Sequence, residues 1–406
     1  MANWTFKTRT VQPIGLDIGH NSVKMIQLAV DDSGITVLAA RKAHIDPIAV
    51  DNCEERRRVI VMTIKQMLSE GAFTGRNVVS ALPNEKVKIT SLRLADTETS
   101  QIEQIVKKEA AQRFALDPDK DIVRYVYVGA VRQGDETKNE LILFVTDDQT
   151  IKTHIALLED AGLKPVGLDV VPCALFRSFE RQMRRQEDKE RTVIFVDVGH
   201  LTTTVVFGRA AELCFVKQIP IAGDNFNREV ASKLGLNLSD AEALCIKFQK
   251  EDIITPPAVS QSSVASDEES GDQILQGQRQ NAVSFDPVTR QIIVDAISRV
   301  CEELAKEISL CLRYYSVTFR GKRIERAVIT GGGAYEDILL DILKRILGVE
   351  IEIAEPLRGF TMAEMDLERY KREPACEWAV AVGLSLKGLD RPLNKTRQAQ
   401  EQIIPV

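Results

Sequence analysis

Residues 14–30 read IGLDIGHNSVKMIQLAV, and residues 194–210 read IFVDVGHLTTTVVFGRA. In each, an apolar run ends in Asp-x-Gly-His: Asp17 to His20 in the first, Asp197 to His200 in the second. Small polar residues and another β-rich run follow. A single turn of this kind reads as a plain β-turn. Two of them, in matching contexts, predict a duplicated strand–turn–strand unit.

The flanking pattern extends the repeat. Three strand-like runs, 14–19, 23–30 and 35–43, open the first unit, and 193–199, 202–208 and 212–221 open the second. Helical periodicity follows at 54–70, with Ile60, Ile64, Met67 and Leu68 on one face, and a short strand at 77–82 closes on Pro83-Asn84. Between 87 and 162 the texture changes to β-α-β-β-α, which reads as a small inserted α+β subdomain. A strand at 165–171 and a helix at 173–185 return to the first unit. In the second unit, helices are expected at 225–234, 239–250, 287–319, 338–347 and 375–386, with strands at 327–330 and 349–354. Strands interleaved with long helices give an α/β fold. The division is then 1–83 with 163–190 for the first unit, 84–162 for the insert, and 191–250 with 287–390 for the second. Residues 251–286 contain ITPPAVSQSSVASDEESGDQ, too poor in apolar groups to offset ordering entropy, and read as a disordered linker. Residues 391–406 form a tail.

Composition narrows the function classes. At 406 residues, 44% hydrophobic and 28% charged, the chain is an ordinary globular protein of two or three domains. A net charge of -6 without a basic stripe argues against nucleic acid. Seven scattered cysteines without CxxC spacing, and no secretion signal, predict a reducing cytoplasm. No run is apolar enough for a spanning helix. Any membrane connection therefore runs through a partner.

Asp at a strand end, then Gly, then a small hydroxyl residue suits phosphate and metal. The glycine lets backbone approach an anion, and successive N–H groups form an anion nest. The carboxylate can hold Mg²⁺, usually through water. Asp17 and Asp197 are the candidate Mg²⁺ carboxylates; Ser22, Thr202 and Thr203 are candidate hydroxyl donors. Gly331-Gly332-Gly333 follows the apolar run 327–330 and opens a helix. It is neither a Walker A loop nor a G-x-G-x-x-G pattern, and a ligand-approach turn and a tight structural turn are equally open there.

Together, the two Asp-Gly turns and the late glycine turn resemble the actin-like ATPase superfamily: actin, MreB, FtsA, the heat-shock chaperone ATPase domain and the sugar kinases. Residues 221–247, IAGDNFNREVASKLGLNLSDAEALCIK, and 378–389, WAVAVGLSLKGL, are similar to stretches of FtsA and PilM. Asp17–Lys24, D-I-G-x-x-S-V-K, and 157–175, LLEDAGLKPVGLDVVPCAL, look most like the PilM family of type IV pilus assembly proteins. The resemblance implies an actin-like (ribonuclease H-like) duplicated two-domain fold that clamps ATP or ADP with Mg²⁺. Gly19, His20, Asn21, Ser22 and Lys24 would serve the first phosphate turn, and Gly199, His200, Thr202 and Thr203 the second. Gly223 would also bind the nucleotide, Glu242 would lie by the ribose, and Gly331, Gly332 and Gly333 by the adenosine. It further implies a cytoplasmic protein that captures the N-terminal tail of a PilN-like membrane protein at the inner-membrane assembly platform. The tail would lie in a groove between the first unit and the insert. Self-association is left open.

Three departures from the family pattern stand out. Histidines at 20 and 200 replace small residues; they read first as loop-end side chains bonded to backbone, otherwise as donors facing phosphate. Further ligands for a metal at these histidines are not evident. Val171-Pro172 stands where a water-positioning carboxylate is expected, with Asp169 the only carboxylate nearby, so hydrolysis should be slow or absent. Cys245 stands where a lysine is expected near Glu242, with Lys247 a displaced substitute. The competing readings are an FtsA-like polymerising ATPase, a sugar kinase and a nucleotide-free pseudo-ATPase scaffold. The C-terminal LNKTRQAQEQIIPV lacks the apolar face an FtsA-like membrane helix needs, and no catalytic Asp for a kinase is evident.

Overall fold

The computed structural model describes residues 9–45, 53–95, 99–114, 117, 121–133, 136–183, 191–209, 212–254, 285–319, 324–362 and 375–389. The first half holds β1 (Thr10–Val11), β2 (Ile14–Ile18), β3 (Ser22–Asp31), β4 (Gly34–His44), α1 (Cys53–Glu70) and β5 (Asn77–Ala81). Next come β6 (Lys88–Ala95), α2 (Thr99–Phe114), β7 (Asp121–Gln133), β8 (Glu136–Asp147), α3 (Asp148–Asp160), β9 (Lys164–Asp169) and α4 (Val171–Glu180). The second half holds β10 (Thr192–Val198), β11 (Thr203–Arg209), β12 (Glu212–Ile219), α5 (Gly223–Leu234), α6 (Leu238–Ile254) and α7 (Pro287–Thr318). It ends with β13 (Ile324–Thr330), α8 (Asp337–Leu347), β14 (Glu350–Ile353), β15 (Thr361–Met362) and α9 (Ala379–Leu386).

The duplication is plain in the sheets. One runs β15-β4-β3-β2-β5-β9, with β1 beside β3, and the other runs β12-β11-β10-β13-β14. In both, a three-stranded antiparallel meander is followed by two strands parallel to its first member. The near-continuous apolar strands reflect sheets covered on both faces. β3, for example, is buried from Val23 to Ala29.

β6, β8 and β7 form a third, antiparallel sheet. α2 covers it, closing a small core of Leu92, Leu94, Ile102, Val106, Leu141 and Leu143. α3, read from the sequence with this insert, instead packs Ile151 and Leu158 into the main core. Asp147 caps its first turn, accepting from the Thr150 amide at 2.7 Å.

The last elements cross back. β15 pairs with β4, and α9 lies on β2 and against α4, although both were read from the sequence as part of the second unit. All eight residues of α9 are buried, as expected for a helix that is apolar all round. A Cβ on Gly383 would fall 1.7 Å from the Ala174 carbonyl oxygen, so glycine is what lets α9 touch α4. α4 in turn ties the halves together: Phe179 stacks on Phe195 of β10, centroids 4.9 Å apart.

α6 runs to Ile254, four residues into the segment read as a linker, and α7 is capped by Asp286 with Pro287 in its first turn. Residues 255–284, and the tail 391–406, lie outside the described residues. Among the described residues no helix is long and apolar enough to cross a membrane.

Candidate functional site

The carboxyl ends of β2, β10 and β13 converge at one place, on the sheet edge where ligands usually sit in open α/β folds. β2 ends at Ile18 and delivers Asp17; the Gly19 amide bonds back to the Ser22 carbonyl at 2.9 Å, opening β3. β10 delivers Asp197 in the same way, with the Gly199 amide on the Thr202 carbonyl at 3.2 Å. In the β10–β13 register Asp197 faces Thr330, which sets Gly331 against the second turn. Gly331 has φ +83°, and a Cβ there would lie 2.5 Å from the Val198 carbonyl and 2.6 Å from Asp197 Oδ1. A Cβ on Gly333 would strike Val198 Cγ1 at 2.4 Å. Gly331 and Gly333 are therefore also required by the protein's own packing, whereas a Cβ on Gly332 would meet nothing.

The repeat is electrostatically lopsided. Opposite Asp17 on the antiparallel pair stands Lys24, whose Nζ is 3.4 Å from Asp17 Oδ2. Opposite Asp197 stands Thr204, which carries no charge. Lys24 is buried, yet its ammonium is held above its ordinary value: desolvation opposes the charge, but Asp17, Glu377 and Asp197 outweigh it. Glu377 lies 4.0 Å from Lys24 and 2.6 Å from Lys42. Asp197 lacks a cation of its own. Burial first, then the charge of Asp17, push its carboxyl up to about 7 against partial relief from Lys24.

This donor set suits Mg²⁺ carried by a phosphate ligand. Mg²⁺ needs only one or two carboxylates beside water and phosphate oxygens, and Asp197 is a carboxylate short of countercharge. A cage built from protein alone is not present: among the described residues no group of three or more His, Cys, Asp and Glu side chains is placed to hold a metal.

Other expected residues gather around the same point. The Gly223 amide bonds the Gly199 carbonyl at 3.1 Å, and the Asp224 amide bonds the His200 carbonyl at 2.7 Å. Glu242 on α6 accepts from Asn21 Nδ2 at 2.8 Å, and burial raises its carboxyl. Thr202 Oγ1 accepts from Asn84 Nδ2 at 2.9 Å. Thr203 corrects the expectation of a phosphate donor. As the first residue of β11 it points inward, is fully buried, and donates to the Ile221 carbonyl at 2.6 Å. The histidines also differ from the backbone-bonded reading. His20 and His200 stack on each other, centroids 4.6 Å apart and planes 7° from parallel.

Asp169 cannot position a water. It is fully buried, its Oδ1 accepting from the Val170 amide at 2.8 Å and its Oδ2 facing Arg177 at 2.8 Å and Lys387 at 3.5 Å. Burial would raise its carboxyl, but Lys387, Arg177 and the Val170 amide hold it low. Cys245 is buried, its thiol pushed up to about 12 by desolvation. Lys247 is exposed with its ammonium over the Phe285 ring at 4.9 Å, so it does not replace the missing lysine.

Sequence reading missed four groups here. Arg56 Nη2 donates to the Gly19 carbonyl at 3.0 Å. Asn84 and Gln218 bridge the halves, Gln218 Nε2 lying 2.6 Å from Asn84 Oδ1. Glu377 serves Lys24. Only Asn84, at the Pro-Asn turn closing β5, had a local signal.

Residues 15–251 and 291–389 match the family described as type IV pilus assembly protein PilM. The chain belongs to the PilM family. The solved PilM–PilN type IV pilus biogenesis complex superposes with a TM-score of 0.72 at 21% identity, covering 94% of this chain and 99% of that one. Cell division protein FtsA of Escherichia coli (strain K12) is 22% identical over 366 residues, 87% of this chain and 80% of FtsA. FtsA of Shigella flexneri is likewise 22% identical, over 87% of this chain and 77% of its own. The fold is thus actin-like, duplicated and interrupted by a small α+β block. In this PilM-family chain the two Asp-x-Gly-His turns carry their histidines in direct contact.

Proposed function

We propose that this PilM-family protein is a nucleotide-responsive scaffold of the pilus assembly platform. It would hold ATP or ADP with Mg²⁺ between its two turns and take up the N-terminal tail of a PilN-like membrane protein beside β7. The location would be cytoplasmic, with the inner membrane reached through that partner. Bound Mg²⁺ would supply charge neutralisation between Asp17, Asp197 and the phosphates. With Asp169 locked in its ion pairs, the carboxylate nearest the expected position is not free to orient a hydrolytic water, so nucleotide would act as a ligand and not as fuel.

One observation carries the peptide reading. A narrow groove of about 30 Å³ runs between β7 and the start of α4, lined by Leu82, Val87, Ile122, Arg124, Val126 and Phe144. Ile122, Arg124 and Val126 share one face of β7, an edge strand of its sheet. Arg124 Nε is buried there, and no described residue partners it. An apolar floor, an unpaired donor and a strand edge together suit an extended peptide supplying carbonyl or carboxylate oxygen. The groove now has room for about one water, so occupation requires the insert to move away from α4.

The test is fluorescence anisotropy with a labelled PilN-type N-terminal peptide, run with and without MgATP. Wild type should bind, Val126→Asp should lose at least tenfold in affinity, and MgATP should shift the affinity. Equal binding by wild type and Val126→Asp would remove the peptide from this groove.

A further inference from the structure

The tips of the two turns form an assembly that neither turn explains alone. His20 and His200 are stacked where the turns approach each other. Asn21 Nδ2 reaches His200 Nδ1 at 3.0 Å and Glu242 Oε1 at 2.8 Å. An amide nitrogen can only donate, so Nδ1 of His200 is the accepting, unprotonated nitrogen. Its Nε2 faces Asp224 Oδ1 at 4.0 Å. Beside the pair, Arg56 spends Nη2 on the Gly19 carbonyl, while its Nη1 is buried and no described residue partners it.

The charged groups facing the rings come from every neighbouring element. They are Arg56 on α1, Glu85 after β5, Asp224 and Arg228 on α5, and Glu242 through Asn21 on α6. Burial, then Arg56, hold His20 below its ordinary value against Glu85 and Asp224. Burial and His20, with Arg56 and Arg228, push His200 down to about 4 against Asp224. Both rings are therefore neutral near pH 7, which is what lets them stack. Two imidazolium ions at that spacing would repel. A dianionic phosphoryl group reverses this balance, because it favours the charged form of each ring.

We propose that the stacked pair, with Arg56, is the seat of the terminal phosphate of a nucleoside polyphosphate: the phosphate parts His20 from His200, takes Arg56 Nη1, and is held by both imidazoles as cations, with protons drawn from solvent. Binding and proton uptake become one event, and the rings act as the latch that keeps the turns together in the free protein. This rests on the nucleotide-binding reading above.

The experiment is titration calorimetry of the full chain with MgATP at pH 7 in buffers of different ionisation enthalpy. The slope of heat against that enthalpy counts protons. Wild type should take up about one to two protons per nucleotide. His20→Gln and His200→Gln keep a hydrogen-bonding side chain without a titrating group, and each should cut the uptake by at least half while still binding. Arg56→Gln should weaken binding at least tenfold with uptake retained. Tight MgATP binding with no buffer dependence, or uptake unchanged in His200→Gln, overturns the proposal and leaves the nucleotide reading standing. No MgATP binding by wild type, with the groove peptide still bound as a folding control, overturns both.

Discussion

Replacing Asp197 by Asn should stabilise the free protein, although the residue lies at the heart of the proposed site. The reason is the missing cation of the second turn. Asp17 faces Lys24 across its strand pair, whereas Asp197 faces Thr204. Burial and the neighbouring Asp17 move the Asp197 carboxyl from 3.8 to about 7. At about 1.4 kcal/mol per pH unit, that displacement corresponds to about 4 kcal/mol of native-state penalty once the group is ionised. Asp197 is only partly buried, and solvent screening reduces the expected effect to about 2 kcal/mol. The sign follows from linkage. Above 3.8 the unfolded chain gives up the proton while the native state keeps it until about 7. The penalty therefore grows across that window, is complete above it, and vanishes below it. Chemical unfolding without nucleotide or Mg²⁺ at pH 8 should show Asp197→Asn more stable by about 2 kcal/mol, shrinking to well under half of that at pH 4. Asp17→Asn should gain less, because burial is the larger cause and Lys24 loses its partner. A variant no more stable than wild type at pH 8, or a gain that persists undiminished at pH 4, would refute the argument.

Two further outcomes follow from the packing. Gly383→Ala places a methyl where the Ala174 carbonyl oxygen stands, so α9 must lift off α4; a loss of about 3 kcal/mol or more is expected in chemical denaturation. His154 is buried on α3, 3.0 Å from Ser80 Oγ, and burial pushes it down to about 4. Below 6.5 the unfolded chain takes a proton that the native state refuses, so stability should fall by up to about 3 kcal/mol as pH drops toward 4. His154→Gln, which can still reach Ser80, should flatten that slope in pH-dependent melting.

What could be read from the sequence was what repeats or alternates locally. The two Asp-Gly turns announced the duplication because each sits between apolar strands of the right length, and the structure returns the same strand order twice. Contacts made across long separations left no such mark. Nothing around His20 signals a ring 180 positions away. Arg56 lies in a run of three arginines, which reads as a solvated helix face. The return of β15 and α9 to the first sheet is equally silent, because an all-apolar helix such as 379–386 would be buried equally well in either half. The Asp169 ion pairs were hidden for the same reason: Arg177 sits two turns along α4, but Lys387 comes from the far end of the chain.

The distribution of these contacts also says where the protein can move. At the base, the halves share apolar surface: Phe179 lies on Phe195, Phe176 meets Phe195 edge-on, and Gly208 leaves room for Phe176. Separating that surface exposes hydrocarbon at about 25 cal/mol per Å². At the turns, the halves share a ring stack and a few amide bonds, from Asn21 to Glu242 and from Asn84 to Thr202, Thr204 and Gln218. Hydrogen bonds of this kind contribute about 1 kcal/mol each, and water can replace them. The cheap motion is therefore opening at the histidines about a hinge near α4. α4 begins at the wall of the β7 groove, where Val170 and Cys173 line the cavity. A ligand that parts His20 from His200 and a peptide that moves β7 away from α4 would thus both act on the helix that joins the two halves. Coupling between the two sites requires no further relay, only that each ligand prefer a different angle of the same helix.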